Sequence, residues 1–131
     1  MANEGGRAEA DRNEARRSEG GRDEAAQRFA DDEFYRALAA RSRRRTLAHL
    51  LACERCSVDE LVDVLCGWEA TTESIVDAKR ATQLRIELVH RHLPVLAAAG
   101  LVSYDRAADE VAIEPLSHPV KQLVRRSIDA E

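Results

Sequence analysis

The chain has 131 residues, and its 24 acidic against 20 basic side chains give a formal charge of −4. That length allows one modest core, and the negative balance excludes a protein that coats nucleic acid indiscriminately while leaving room for a local basic face. No run of 18 apolar residues is present and the first residues lack the apolar stretch of a secretion signal, so no membrane role and a cytoplasmic location are expected.

Eighteen of the basic residues are arginine, with lysine only at Lys79 and Lys121, a bias that suits a GC-rich genome or a salty cytoplasm. Residues 1–28 are read as a polar tail. From Met1 to Gln27 there is no Val, Ile, Leu, Phe, Tyr or Trp, so little apolar burial can offset the entropy of ordering it, and disorder is expected. The folded domain is expected over 29–115, and 116–131 as a C-terminal helix or tail, with a place at a dimer interface as one use for it.

FADDEFYRALAA predicts a first helix, with Phe34 and Leu38 on one side and Asp31, Asp32 and Glu33 at its front. RSRRRTLAHLLA predicts a second, with Ser42 as its cap and Leu47, Leu50 and Leu51 at core spacing. Arg43, Arg44 and Arg45 in its first turn oppose the helix dipole, a cost that a bound anion would relieve. SVDE has capping-box spacing at Ser57 and Glu60 and starts a third helix, which Gly67 is expected to interrupt. A polar connection after Trp68 is longer than a tight helix-turn-helix allows.

KRATQLRIELVHRHLPVLAAAG predicts a long fourth helix or two collinear pieces, with an apolar stripe of Ala81, Leu84, Leu88, Val89, Leu93 and Leu96. Arg80, Gln83, Glu87, His90 and Arg91 lie largely opposite. Pro94 cannot donate to the carbonyl of His90, so a kink or restart is expected there, and Gly100 is placed to end the helix in a left-handed conformation. LVSYD and EVAIE then alternate around RAAD as a loose hairpin, with Val102 and Tyr104 on the same face as Val111 and Ile113. Val120, Leu123, Val124 and Ile128 predict a last helix, one that covers the hairpin or meets a second subunit.

This order, three or four helices followed by a hairpin, predicts a mainly α winged helix-turn-helix fold in which a core-anchored helix enters the DNA major groove. HRHLPVLAAAGLVSYD resembles the recognition-helix end and wing start of ArsR-like regulators. The run from DEFYRALAARSRRRTLAHLL through SVDELVDVLCGWE to LVHRHLPVLAAAGLVSYD is similar to small haloarchaeal winged-helix domains. The resemblance implies an archaeal transcriptional regulator, often dimeric, that binds double-stranded DNA. Transferred to this chain, base contacts would fall to Arg80, Thr82, Gln83 and Arg85, extending to Arg91. Arg106 would be the wing contact, and Arg43 and Arg44 would hold phosphates. Glu87 is read as a partner for Arg91 four residues on.

Cys53 and Cys56 form CxxC, with His49 one turn before them and Cys66 further on. Only one ligand pair has tight spacing, and His90 and His92 point in different directions on a helix, so neither a metal nor another cofactor is assigned. No nucleophile, base and metal set converges, so no enzyme is expected. The alternative function is a winged-helix protein-interaction module whose partner is another protein. A homodimer through Phe34 and Leu38 or the apolar face of the last segment is the expected assembly.

Overall fold

The computed structural model describes residues 32–70 and 75–130. The polar tail expected at 1–28 and the middle of the polar connection lie outside the described residues. Helix α1 spans Asp32–Leu38, α2 Arg41–Cys53, strand β1 Arg55–Cys56, α3 Val58–Glu69 and α4 Ala78–Glu87. A π-helical segment, Leu88–His92, joins α4 to α5, Leu93–Ala98. The hairpin β2, Val102–Asp105, and β3, Glu110–Ile113, leads to α6, His118–Asp129. The fold is thus mainly helical with a small antiparallel sheet in the order β1-β3-β2. No helix among the described residues is long and apolar enough to cross a membrane.

One core joins every helix to the sheet: Phe34 from α1, Leu47 and Leu50 from α2, and Leu61 and Leu65 from α3 are almost wholly buried. Leu84, Leu88, Leu93 and Leu96 from the long helical unit, Val111 from β3, and Val120 from α6 complete it. The leucine stripe holds its face across the π segment because Leu93 N–H reaches back five residues to the Leu88 carbonyl. That extra residue in the turn falls immediately before Pro94, which can give no amide to the next carbonyl in line. The kink expected at the proline is therefore taken up as a widened turn.

Two caps form at the expected places and one does not. The Ser57 hydroxyl accepts the Glu60 N–H at 3.1 Å. Gly100, at φ 73°, ends α5 in a Schellman pair, with Leu101 N–H to the Leu96 carbonyl at 3.0 Å and Gly100 N–H to the Ala97 carbonyl at 2.9 Å. Ser42 is inside α2, whose cap position is Ala40 without a side-chain bond; the Ser42 carbonyl instead accepts the Thr46 hydroxyl. Gly67 does not interrupt α3 either, since the helix continues to Glu69 and the glycine faces open space. Asp77 caps α4 by accepting the Arg80 N–H at 2.8 Å.

In the hairpin, Val102 pairs with Ile113 and Tyr104 with Val111, so the alternation read from sequence sets the register. Its four-residue turn, Arg106–Asp109, is closed by the Asp105 carboxylate accepting the Ala108 N–H at 3.1 Å, with Asp109 at φ 50°. The short strand β1 pairs with β3 through Arg55 to Ala112 and Cys56 to Val111. Helix α6 packs on α2 rather than over the hairpin, and it buries Val120 and Val124 within the chain.

Candidate nucleic-acid interface

Helix α4 is anchored by Leu84 on its inner side and turns Lys79, Thr82, Gln83 and Ile86 to solvent, with exposed His90 and Arg91 following in the π segment. Of the polar face expected from the sequence, Gln83, His90 and Arg91 are exposed, whereas Arg80 and Glu87 are half-buried and Ile86 lies among the exposed residues. Arg80 is not a projecting reader. Its Nε and Nη2 donate to the two Glu69 carboxylate oxygens at 2.8 and 2.5 Å, and Glu87 lies 3.7 Å from Nη1. This fork-to-fork pair ties α4 to the end of α3, raises the Arg80 pKa, and holds the Glu69 carboxyl below its ordinary range.

Arg85 is exposed but donates from Nη2 to Asp59 on α3. Gln83 is exposed with no side-chain hydrogen bond among the described residues, and Thr82 returns its hydroxyl to the Ala78 carbonyl at 2.9 Å. Arg91 and Arg106 are exposed, the latter in the hairpin turn. Glu87, expected to pair with Arg91, faces Arg80 instead.

The front of α2 departs furthest from expectation. Arg43, read as a phosphate ligand, is buried; its Nε donates to the Ala37 carbonyl at 3.2 Å and its Nη2 to the Arg36 carbonyl at 2.8 Å. Its Nη1 lies 3.2 Å from Nδ1 of buried His92. The last carbonyls of α1 attract a cation, and Arg43 satisfies them. Burial, together with Arg91, Arg36 and Arg44, lowers the Arg43 pKa; burial and the adjoining Arg43 lower that of His92 and favour the neutral imidazole. Arg44 donates to the Leu38 carbonyl at 2.8 Å, and the Arg45 guanidinium sits 5.0 Å from the centre of the Trp68 ring. The arginine run thus closes α1 onto α2 and covers α3.

Phe34, Leu38, Val120 and Val124, offered by the sequence as dimer surface, are consumed inside this chain. What remains on that side is a shallow groove lined by Tyr35, Pro119, Gln122, Leu123 and Arg126. The cysteines follow their sequence spacing, and Glu60 joins them. His49, Cys53, Cys56 and Glu60 converge, whereas Cys66 is not among them. Glu60 was legible only as half of a capping box. All three thiols are free, and burial followed by Cys53 and Glu60 pushes the Cys56 thiol up to about 12.

Residues 35–112 match the model of a family described as Domain of unknown function (DUF7344). The chain belongs to that family. The DUF7344 span runs from Tyr35 in α1 to Ala112 in β3, so it contains the α4 face, the hairpin turn and the cysteine cluster and leaves α6 outside. No curated protein and no solved structure matches the chain.

Proposed function

We propose that this chain is a winged-helix domain that binds double-stranded DNA sequence-selectively and serves as a transcriptional regulator. The observation that carries the reading is the outward stripe of α4, polar but for Ile86, on a core-anchored helix followed by the β2–β3 hairpin. A helix so presented matches the width of the major groove, and the hairpin would reach the flanking backbone. The sheet order β1-β3-β2 and the helix order support the same reading.

The roles differ from those read in sequence. Gln83 and Lys79 are the base-edge candidates, and exposed Ile86 and the Thr82 methyl suit a thymine methyl. Arg85 would exchange Asp59 for a phosphate or guanine, while Arg91 and Arg106 would contact backbone. Arg80 positions α4 through Glu69, and Arg43 is assigned no DNA contact. Homodimerisation belongs to the proposal, with the Tyr35–Leu123 groove as its contact, since paired domains would read two half-sites.

The test is selection from random duplex DNA at several ionic strengths, followed by affinity measurements with Gln83→Ala. An enriched duplex is expected, and the variant should lose about 1–3 kcal/mol of discrimination against scrambled DNA if Gln83 makes a bidentate contact. The second reading, a protein-interaction module, is favoured by the carboxylates that hold Arg80 and Arg85 and by Ile86, 53% exposed in the middle of the stripe. No enriched duplex at any salt concentration would overturn the DNA reading in its favour.

A further inference from the structure

We propose that His49, Cys53, Cys56 and Glu60 form a structural site for one zinc ion at the corner between α2, β1 and α3. The proposal stands apart from DNA binding. One donor atom from each of the four residues lies within 4.8 Å of all the others. A tetrahedral zinc site with Zn–S near 2.3 Å and Zn–N or Zn–O near 2.0–2.1 Å has donor-to-donor edges of about 3.3–3.8 Å. The 4.8 Å limit exceeds those edges by roughly 1–1.5 Å, a gap that rotation of the side chains would close.

The backbone that converges these donors is fixed independently of any ion. His49 and Cys53 are four residues apart on one face of α2. Glu54 then turns the chain with φ 70°, and its carbonyl accepts the Ile113 N–H at 2.9 Å. Cys56 is held in β1 by its pairing with Val111, and Glu60 is set in the first turn of α3 by the Ser57 cap. Three separately anchored elements therefore direct an imidazole, two sulfurs and a carboxylate at one point. The spacing H-x3-C-x2-C-x3-E has a physical origin in this helix-turn-strand-helix corner.

The donor set selects the ion. Two thiolates with an imidazole suit zinc, which takes four protein ligands in a closed site, and they disfavour magnesium or calcium, which prefer oxygen. His49 Nε2 and Glu60 Oε2 are now 2.7 Å apart and share a hydrogen. Zinc would take its place, with the imidazole proton moving to Nδ1 or to solvent, and each cysteine would release its thiol proton. No electron is transferred. With all four positions filled by the protein, the ion has no open place for substrate, so its effect is on stability and on the hairpin attached to this corner. That attachment runs through the β1–β3 pair, the Arg55–Glu110 ion pair at 3.1 Å, and Val58 N–H to the Asp109 carboxylate at 3.4 Å.

Cobalt titration of the full chain, stripped of metal by a chelator and kept reduced, tests the site. One equivalent of Co²⁺ should give a thiolate-to-cobalt charge-transfer band and d–d bands of tetrahedral intensity, both erased by Zn²⁺. Cys53→Ser and Cys56→Ser should each weaken or abolish the charge-transfer band. Glu60→Gln should keep it and change the d–d bands, and Cys66→Ser should behave as the parent. Should the serine variants fail to fold, the parent still decides: stoichiometric Zn²⁺ should raise its melting temperature and release at least two protons. A folded, fully reduced chain that shows no band at one equivalent overturns the site, and so does a band that survives unchanged in both serine variants.

Discussion

The arginines at the front of α2 and those of α4 are alike in sequence and opposite in use. Arg43 and Arg44 donate to backbone carbonyls at the end of α1, acceptors that cannot move away without unwinding the chain. Arg80 and Arg85 donate to carboxylates on α3, side chains at partly or fully exposed positions that can swing aside for another anion. An arginine's partner, more than its exposure, decides whether it is a fastening or a reserve of positive charge. On this molecule the first group holds the fold and the second sets how much cation α4 can present.

The largest effect should come from Arg43→Ala, which leaves the Ala37 carbonyl and His92 Nδ1 without their donor, while the Arg36 carbonyl keeps the Ala39 N–H at 3.1 Å. Each buried group left unpaired costs about 1–3 kcal/mol, so urea unfolding should show a loss of at least about 2 kcal/mol. Arg43→Lys should recover little of it, because one ammonium cannot span the three acceptors of a planar fork. Preserved stability in the alanine variant would break the distinction between the two groups.

The same buried contact predicts a pH dependence. Burial and the Arg43 charge lower the His92 pKa, so the unfolded chain binds more protons than the folded one. The resulting contribution is complete above the unfolded value of about 6.5 and is lost as the pH falls below it toward the folded value. Denaturant unfolding at pH 7 and pH 5 should show lower stability in acid, with a shallower dependence in His92→Gln.

Smaller changes are expected at α4. Glu69→Gln should cost at most about 1 kcal/mol of stability, since the pair is partly exposed and screened by solvent. On the DNA reading, the released Arg80 should tighten binding to both selected and scrambled duplex, as fluorescence anisotropy would show. Smallest in free energy at high salt is Arg106→Ala, which should weaken both complexes and reduce the slope of log K against log salt by about 0.9 for one lost phosphate contact. An unchanged slope would remove the hairpin turn from the interface.

Local physics made much of this legible from sequence. The Ser57 cap, the Gly100 termination, the alternation in β2 and β3 and the leucine stripe all depend on residues a few positions apart. The functions of the charged groups do not. Arg43 meets His92 forty-nine residues away, Arg85 meets Asp59 at a separation of twenty-six, and nothing in the local pattern distinguishes these arginines from solvated ones. Strand β1 has two residues, too few for any period, so the CxxC spacing near His49 was visible while the pairing with β3 that fixes Cys56 was not. Glu60 had a sufficient local explanation as a helix-start residue, which concealed its place beside them.

The π segment Leu88–His92 gives the long helix one residue more than an α-helix of the same reach would hold. Gene-level insertions and deletions elsewhere in α4 would rotate everything on one side by about 100° and turn the leucines outward. Here the spare residue has already been absorbed, so deleting exposed His90 should restore an ordinary helical turn while Leu88 and Leu93 remain on one face. The segment is therefore the point in α4 and α5 where chain length can change without changing the rotational phase between the outward stripe and the hairpin that follows.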